Sequence, residues 1–331
     1  MQNGTGFYRN RRVLVTGGLG FLGSNLASTL VRLKARVTLV DALLPLYGGN
    51  LFNIESIRGQ VQVNIADIRD EAAMEHLVKD QELIFHIAAQ TSHVDSMSEP
   101  FVDLDINGRG TLTLLEACRR HNPTARLIYI GTRAEYGRAR YLPVDEDHPL
   151  EPLDIYGVHK VAAEWYHQIY HHVHRLPVVC LRLGNTYGPR HQMKHPRYGI
   201  LNWFIRLALE GKRIALYGGG HQKRDYTYVE DVVDAMVRAG ALPKAQGQVY
   251  NVGSNQSHTL LDLVKLIIRM SGRGSYHIAK WPAERRGIET GDFQADVRKA
   301  GRELGWSAQI PLVQGLRQTI AFYRRHRRHY W

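Results

Sequence analysis

The chain has 331 residues, 44% of them hydrophobic and 22% charged, a balance that fits a soluble globular protein with a substantial core in one large or two packed domains. No apolar run approaches the roughly 18 residues that span a bilayer, and the basic stretch Met1–Arg12 leads only to Val13–Val15 before glycines intervene, so a cytoplasmic chain with no signal peptide and no membrane partner is expected. The formal net charge of +12 at pH 7 calls for an anionic partner; scattered arginines, not interleaved with aromatics, favour a phosphorylated small molecule over nucleic acid.

Arg12–Thr16 reads as a strand and Phe21–Lys34 as a helix. Between them runs Gly17-Gly18-Leu19-Gly20-Phe21-Leu22-Gly23. Strand, glycine turn and helix in this order make a phosphate-binding turn. A side chain at Gly17 would obstruct the turn, one at Gly20 would hold the backbone off a pyrophosphate, and one at Gly23 would push helix from strand. The helix N-terminus then offers free amides and a positive dipole end. Arg36–Asp41 is the second strand, with Asp41 at its end. A carboxylate there suits ribose hydroxyls and repels a 2′-phosphate, which favours NAD over NADP as cofactor.

Strands follow at Val61–Ile65 and Leu83–Ala88, then a helix over about Phe101–Arg120 and a strand at Arg126–Gly131. A long helix after Asp154 carries Tyr156, Lys160 and Trp165, and Val178–Leu183 is a further strand. The rhythm predicts an α/β fold, a Rossmann-type doubly wound parallel sheet with helices on both faces. Beyond Gly184 the pattern loosens. Asn185–Tyr198 reads as a loop, followed by Ile200–Glu210 (helix), Arg213–Tyr217 (strand), Val229–Ala239 (helix), a strand near Gln248–Asn251, and helices near Leu260–Met270 and Pro311–Arg324. Residues 1–184 are expected to form mainly the dinucleotide-binding domain. Residues 185–331 mainly form a smaller substrate-binding lobe, with some chain crossing back to the sheet. The basic end Arg324–His329 reads as a frayed, solvated helix terminus. Cys118 and Cys180 show no metal or CxxC spacing and fit a reducing compartment.

Seven motifs now stand in order: the glycine loop; Asp67-Ile68-Arg69-Asp70; His86-Ile87-Ala88-Ala89-Gln90; Asn107 within Asp105–Thr111; Tyr156-Gly157-Val158-His159-Lys160; Leu181–Arg190; and Arg224–Val229. Together they resemble the extended short-chain dehydrogenase/reductase family, the NAD-dependent sugar-nucleotide epimerases and dehydratases, over roughly Arg12 to Trp306. The resemblance implies that Gly17, Gly20, Phe21, Leu22, Gly23, Asp41, Asp67, Ile68, Ala88, Ala89, Gln90, Asn107, Tyr156 and Lys160 bind the cofactor. It also implies a homodimer packed through the Tyr/Lys helix.

Tyr156 and Lys160 stand four apart, so they share a helix face. A nearby ammonium favours the phenolate, and a tuned tyrosine can then take a proton from a sugar hydroxyl. By resemblance, Lys160 bonds the nicotinamide ribose and Thr132 bonds the reacting sugar oxygen, completing the catalytic set Thr132, Tyr156 and Lys160. The chain departs from the family after Thr132. Dehydratases carry Asp-Glu there and decarboxylases a glutamate, whereas this chain has Arg133 and Ala134. Glu135 is expected in a structural ion pair. Arg133 is expected to suit an anionic sugar substituent such as a uronate.

Asn185 and Arg224 match residues that hold the substrate diphosphate, where a guanidinium donates two bonds at once. Tyr217, before Gly218-Gly219-Gly220, and Arg286 are the remaining substrate-binding candidates. The loop His191–Arg197 reads either as positive charge beside the site or as a solvated basic loop. His167, His171 and His174 are more simply a helix surface or subunit contact than a metal site, and no metal is expected.

The expected activity is a UDP-hexose or UDP-uronate 4-epimerase working through a 4-keto sugar on a nucleotide-sugar substrate. A UDP-glucuronate decarboxylase, a 4,6-dehydratase and a 4-ketosugar reductase are rivals. A non-catalytic dinucleotide sensor is the rival of another class, disfavoured by the intact Tyr156/Lys160 pair.

Overall fold

The computed structural model describes residues 6–45, 47–282 and 286–331. Its centre is a seven-stranded sheet built from β1 (Arg12–Thr16), β2 (Arg36–Asp41), β3 (Val61–Ile65), β4 (Leu83–His86), β5 (Arg126–Thr132), β6 (Val178–Leu183) and β10 (Val249–Val252). The order is β10-β6-β5-β4-β1-β2-β3, and every pairing is parallel. Alternate side chains of a strand point to opposite faces. Val13 and Val15 accordingly join one buried cluster and Leu14 the other. α1 (Phe21–Arg32) and α8 (Val229–Ala241) pack on one face, and α2 (Glu71–Leu77), α5 (Gly110–His121) and α6 (Ile155–His174) on the other.

Strand order reverses between β1 and β4, which leaves a crevice at the strands' carboxyl ends. Two small sheets follow: β7 (Asn185–Tyr187), β9 (Lys223–Tyr228) and β11 (Ser257–Thr259) form one, whose Asn185, Thr186 and Tyr226 reach the crevice, and β8 (Arg213–Tyr217) with β12 (Ser275–Ala279) form the other. The second half of the chain also contributes α8 and β10 to the main layers.

Three local expectations change. The helix expected over 101–120 is interrupted by a π segment, Leu104–Arg109. The extra residue swings Asn107 to the strand ends, where its amide donates to the Gln90 carbonyl (2.9 Å) and accepts from the Gln90 N–H (3.0 Å). The basic C-terminus is not frayed. His329 stacks on Phe52 at 3.6 Å between centroids, and Tyr330, 2% exposed, donates to Asn53 at 2.6 Å. Apolar ring area outweighs the solvation of the flanking arginines. His167 is not on a surface either. It is fully buried, stacked on Tyr129, with Nδ1 donating to the Ala163 carbonyl. Among the described residues no group of side chains could hold a metal ion, and no helix is long and apolar enough to cross a membrane.

Candidate active site

A cavity of about 370 Å³ opens at the switch point. The turn after β1 forms its floor. Gly17 has a φ of 66°, and a Cβ there would sit 2.9 Å from Ala88 N. A Cβ at Gly23 would sit 2.2 Å from the Gly17 carbonyl, so Gly23 sets the distance between helix and turn and does not face the cavity. Gly20 is the N-cap of α1 and no side chain caps this helix. Its first-turn amides stay free for an anion. Asp41 lines the cavity with its oxygens on the Leu19 and Leu43 amides, and burial pushes its carboxyl above the ordinary range. Phe21, Leu22, Asp67, Ile68, Ala88 and Ala89 also line it. Gln90 and Asn107 lie behind, buried and bonded to each other.

Tyr156 and Lys160 enter from α6, which Asp154 starts by accepting the Gly157 N–H at 2.7 Å, a cap worth about 1 kcal/mol. Lys160 Nζ donates to the Ile130 carbonyl at 2.8 Å and lies over the Tyr129 ring. Burial raises the Tyr156 phenol pKa, with the Thr132 hydroxyl pulling it back, and burial lowers that of Lys160. Thr132 lines the cavity at the end of β5. Its N–H donates to Glu135 Oε1 (2.7 Å) and its hydroxyl accepts from Ala134 N (3.2 Å), a reciprocal cap that locks the turn. Glu135 is fully buried, and Oε2 lies 3.5 Å from Arg182, the expected ion pair. The same Arg182 pairs with Glu164 at 2.6 Å.

With this geometry in place, similarity to known proteins is decisive. Residues 14–319 match the family model described as GDP-mannose 4,6 dehydratase. The chain is 32% identical over 320 residues to a putative UDP-glucose 4-epimerase of Methanocaldococcus jannaschii, covering 96% of this chain and 99% of that one. It is 31% identical over 328 residues to a dTDP-glucose 4,6-dehydratase of an Actinoplanes species, covering 96% and 98%. The crystal structure of a dTDP-glucose 4,6-dehydratase of Streptomyces venezuelae, with NAD bound, superposes with a TM-score of 0.88 at 26% identity, covering 96% and 98%.

The chain belongs to this extended short-chain dehydrogenase/reductase family.

It is an enzyme of the sugar-nucleotide epimerase/dehydratase group, and the remaining site residues take their meaning from that. Asn185 lines the cavity and accepts from Arg133 Nε at 3.2 Å, while Arg133 Nη1 donates to Thr290 at 3.0 Å. Burial and the neighbouring Arg224 push the Arg133 pKa down to about 10. Arg224 is buried and paired with Glu289. Arg133 therefore stands with the two diphosphate candidates, Asn185 and Arg224. Tyr217 packs on Trp281, and Arg286 is exposed beside residues outside those described. Neither lines the cavity.

The loop at 191–197 puts positive charge beside the site, since Arg197 lines the cavity. His191 is buried against Phe21, its Nδ1 donates to the Gln192 carbonyl, and burial lowers its pKa to about 4. Arg197 pairs with Asp95 at 3.2 Å. The loop thus forms a wall of the cavity, packed at its start through His191 and Gln192 and exposed at Arg197, with Tyr198 and Leu201 continuing it. Sequence reasoning missed His93. It lines the cavity, bonds Asp154 through Nδ1 at 2.6 Å and meets the Tyr156 ring edge-on. The one signal for it was Ser92, a helix cap directly before it.

Proposed function

We propose that the chain is an NAD-dependent sugar-nucleotide 4-epimerase acting on a UDP-hexose or UDP-uronate through a 4-keto sugar. One observation carries this reading: the two positions after Thr132, where elimination or decarboxylation chemistry would need a carboxylate, hold Arg133 and Ala134. Ala134 is buried, Arg133 is bonded to Asn185 and Thr290, and Glu135 is tied to Thr132 and Arg182 inside the protein. The one group left to move a proton at the sugar in the assigned set is Tyr156.

The residues fit NAD. Substituting the glycines would fill the turn, the α1 amides are uncapped, and Asp41 presents a carboxylate unsuited to a 2′-phosphate. Bound NAD supplies an acceptor for the hydride of the sugar C4 and gives it back. Tyr156 takes the proton of the 4-hydroxyl as the bond to hydrogen at C4 breaks, and returns it after the keto sugar has turned its other face. Thr132 holds the reacting oxygen. Lys160 stabilises the phenolate by charge, and the cationic nicotinamide adds to that. Asn185 and Arg224 would hold the diphosphate, with Glu289 released from Arg224 by the arriving anion. Arg133 beside them would favour a substrate with a further negative group.

The test is incubation with UDP-, GDP-, CDP- and dTDP-sugars, products read by NMR. Inversion at C4 without net consumption of NAD is expected, and a preference of UDP-glucose over UDP-glucuronate would remove the uronate reading. Loss of water or carbon dioxide would assign a dehydratase or decarboxylase instead. Stoichiometric use of added NAD(P)H would assign a reductase, and no turnover would revive the sensor. A homodimer belongs to the proposal: α6 exposes Val158, Trp165, Ile169 and Val173, with Phe101 and Leu104 nearby in chain regions packed on it. The free, buried Cys118 and Cys180 fit the reducing cytoplasm.

A further inference from the structure

The mechanism above gives His93 no part, although it stands beside Tyr156. It opens α3 (His93–Ser98), lines the cavity and keeps its side chain 40% exposed. Its Nδ1 lies 2.6 Å from Oδ2 of Asp154, a carboxylate only 3% exposed, whose other oxygen caps α6. Burial pushes the Asp154 carboxyl up most strongly, but the bond and charge of His93, the Gly157 amide and Arg133 together bring the group below the ordinary range. A carboxylate on Nδ1 selects the tautomer with its proton on that nitrogen. Nε2, on the opposite side of the ring, then has a lone pair and no hydrogen-bond partner among the described residues. The ring centroid is 5.1 Å from that of Tyr156, at 82°. His93 therefore stands on the cavity wall against the ring of Tyr156, with Nε2 as its unpaired nitrogen.

We propose that His93, oriented by Asp154, is a substrate-contacting residue that selects and orients the sugar, its Nε2 accepting a hydrogen bond from a hexose hydroxyl next to the one Tyr156 deprotonates. This rests on the sugar-nucleotide reading and assigns that site its sugar-side contact. A single neutral acceptor holds the pyranose for reaction without a charge–charge lock, so a keto sugar can still turn. The contact concerns the hexose and leaves the nucleoside diphosphate untouched.

The experiment compares wild type, His93→Leu and His93→Gln, each loaded with NAD, by calorimetric titration with UDP-glucose and with UDP, and by kcat and KM on UDP-glucose. His93→Leu is expected to lose about tenfold in UDP-glucose affinity, the scale of one neutral hydrogen bond with its partner left unpaired. UDP and NAD affinities should not move. His93→Gln keeps an acceptor and should recover most of the loss, with KM shifting more than kcat. Equal losses for UDP and UDP-glucose, or a Gln variant as poor as Leu, would reduce His93 to a buttress for Asp154 and overturn the proposal. Unchanged UDP-glucose affinity in His93→Leu, with wild-type turnover intact, overturns it while sparing the epimerase reading. A wild type that binds UDP-glucose no better than UDP and turns it over not at all removes both.

Discussion

At the scale of single residues the site is a contest between burial and charge. Tyr156 is 6% exposed, and burial alone disfavours its phenolate. Lys160, 5% exposed on the same helix face, is the cation proposed to compensate, at its own desolvation cost. General acid–base catalysis by a positioned side chain contributes about 10²–10⁴-fold. Tyr156→Phe, which keeps the ring against His93, is therefore expected to lower turnover about a thousandfold in the NMR assay, with bound NAD unchanged. Survival of near wild-type turnover would remove Tyr156 from the mechanism. This pair was legible in the sequence because four residues of helix place two side chains on one face. His93 was not, since its meaning comes from Asp154, 61 residues away in the chain.

At the scale of elements, two segments behave differently from their local pattern. The C-terminal arginines suggest a solvated end, yet the 3₁₀ turn after the helix Leu312–His326 lays His329 and Tyr330 on the segment Leu51–Gln60. Tyr330→Ala removes a buried ring and its bond to Asn53, and a loss of about 3 kcal/mol in urea unfolding is expected. A loss under about 0.5 kcal/mol, the scale of surface substitutions, would mean the terminus is solvated after all. α6 is the second case. Its inner face carries Tyr156 and Lys160, while its outer face exposes Trp165 at 57% and Val173 at 60%. Apolar area of this kind marks an interaction surface. If the proposed homodimer packs through this face, Trp165→Glu gives monomers in sedimentation velocity where wild type gives dimers. A wild-type monomer would dispose of that assignment.

For the whole molecule, acid stability follows from buried histidines. Burial lowers His167 to about 3 and His191 to about 4, and it also lowers His86. An unfolded histidine titrates near 6.5. Below that pH the unfolded chain binds protons that the native one refuses, so this contribution is intact above pH 6.5 and is lost as pH falls toward 4. The expected cost is about 2 kcal/mol for each of His167 and His191 at pH 5. Urea unfolding at pH 7.5 and pH 5 measures it. His167→Phe, which cannot titrate, should show a smaller drop between the two than wild type. An equal drop would place the acid sensitivity elsewhere.

The sequence by itself determined the parallel sheet, the glycine turn and the Tyr156/Lys160 pair, because each depends on periodicity or spacing within some thirty residues of chain. The family follows from the order of those local motifs. Only the tertiary structure decided where Arg133 stands, that the partners of Glu135 are Thr132 and Arg182, that the 191–197 loop forms a wall of the cavity, and that His93 shares the cavity with Tyr156. Each depends on which distant segment lies opposite, and burial then sets its charge. The +12 of the chain is therefore a poor guide to the site: Arg197, which lines the cavity, and Arg224 and Arg182, which do not, are already paired, and the cavity still offers a ligand the uncapped amides of α1, the hydroxyls of Thr132 and Tyr156 and one face of His93.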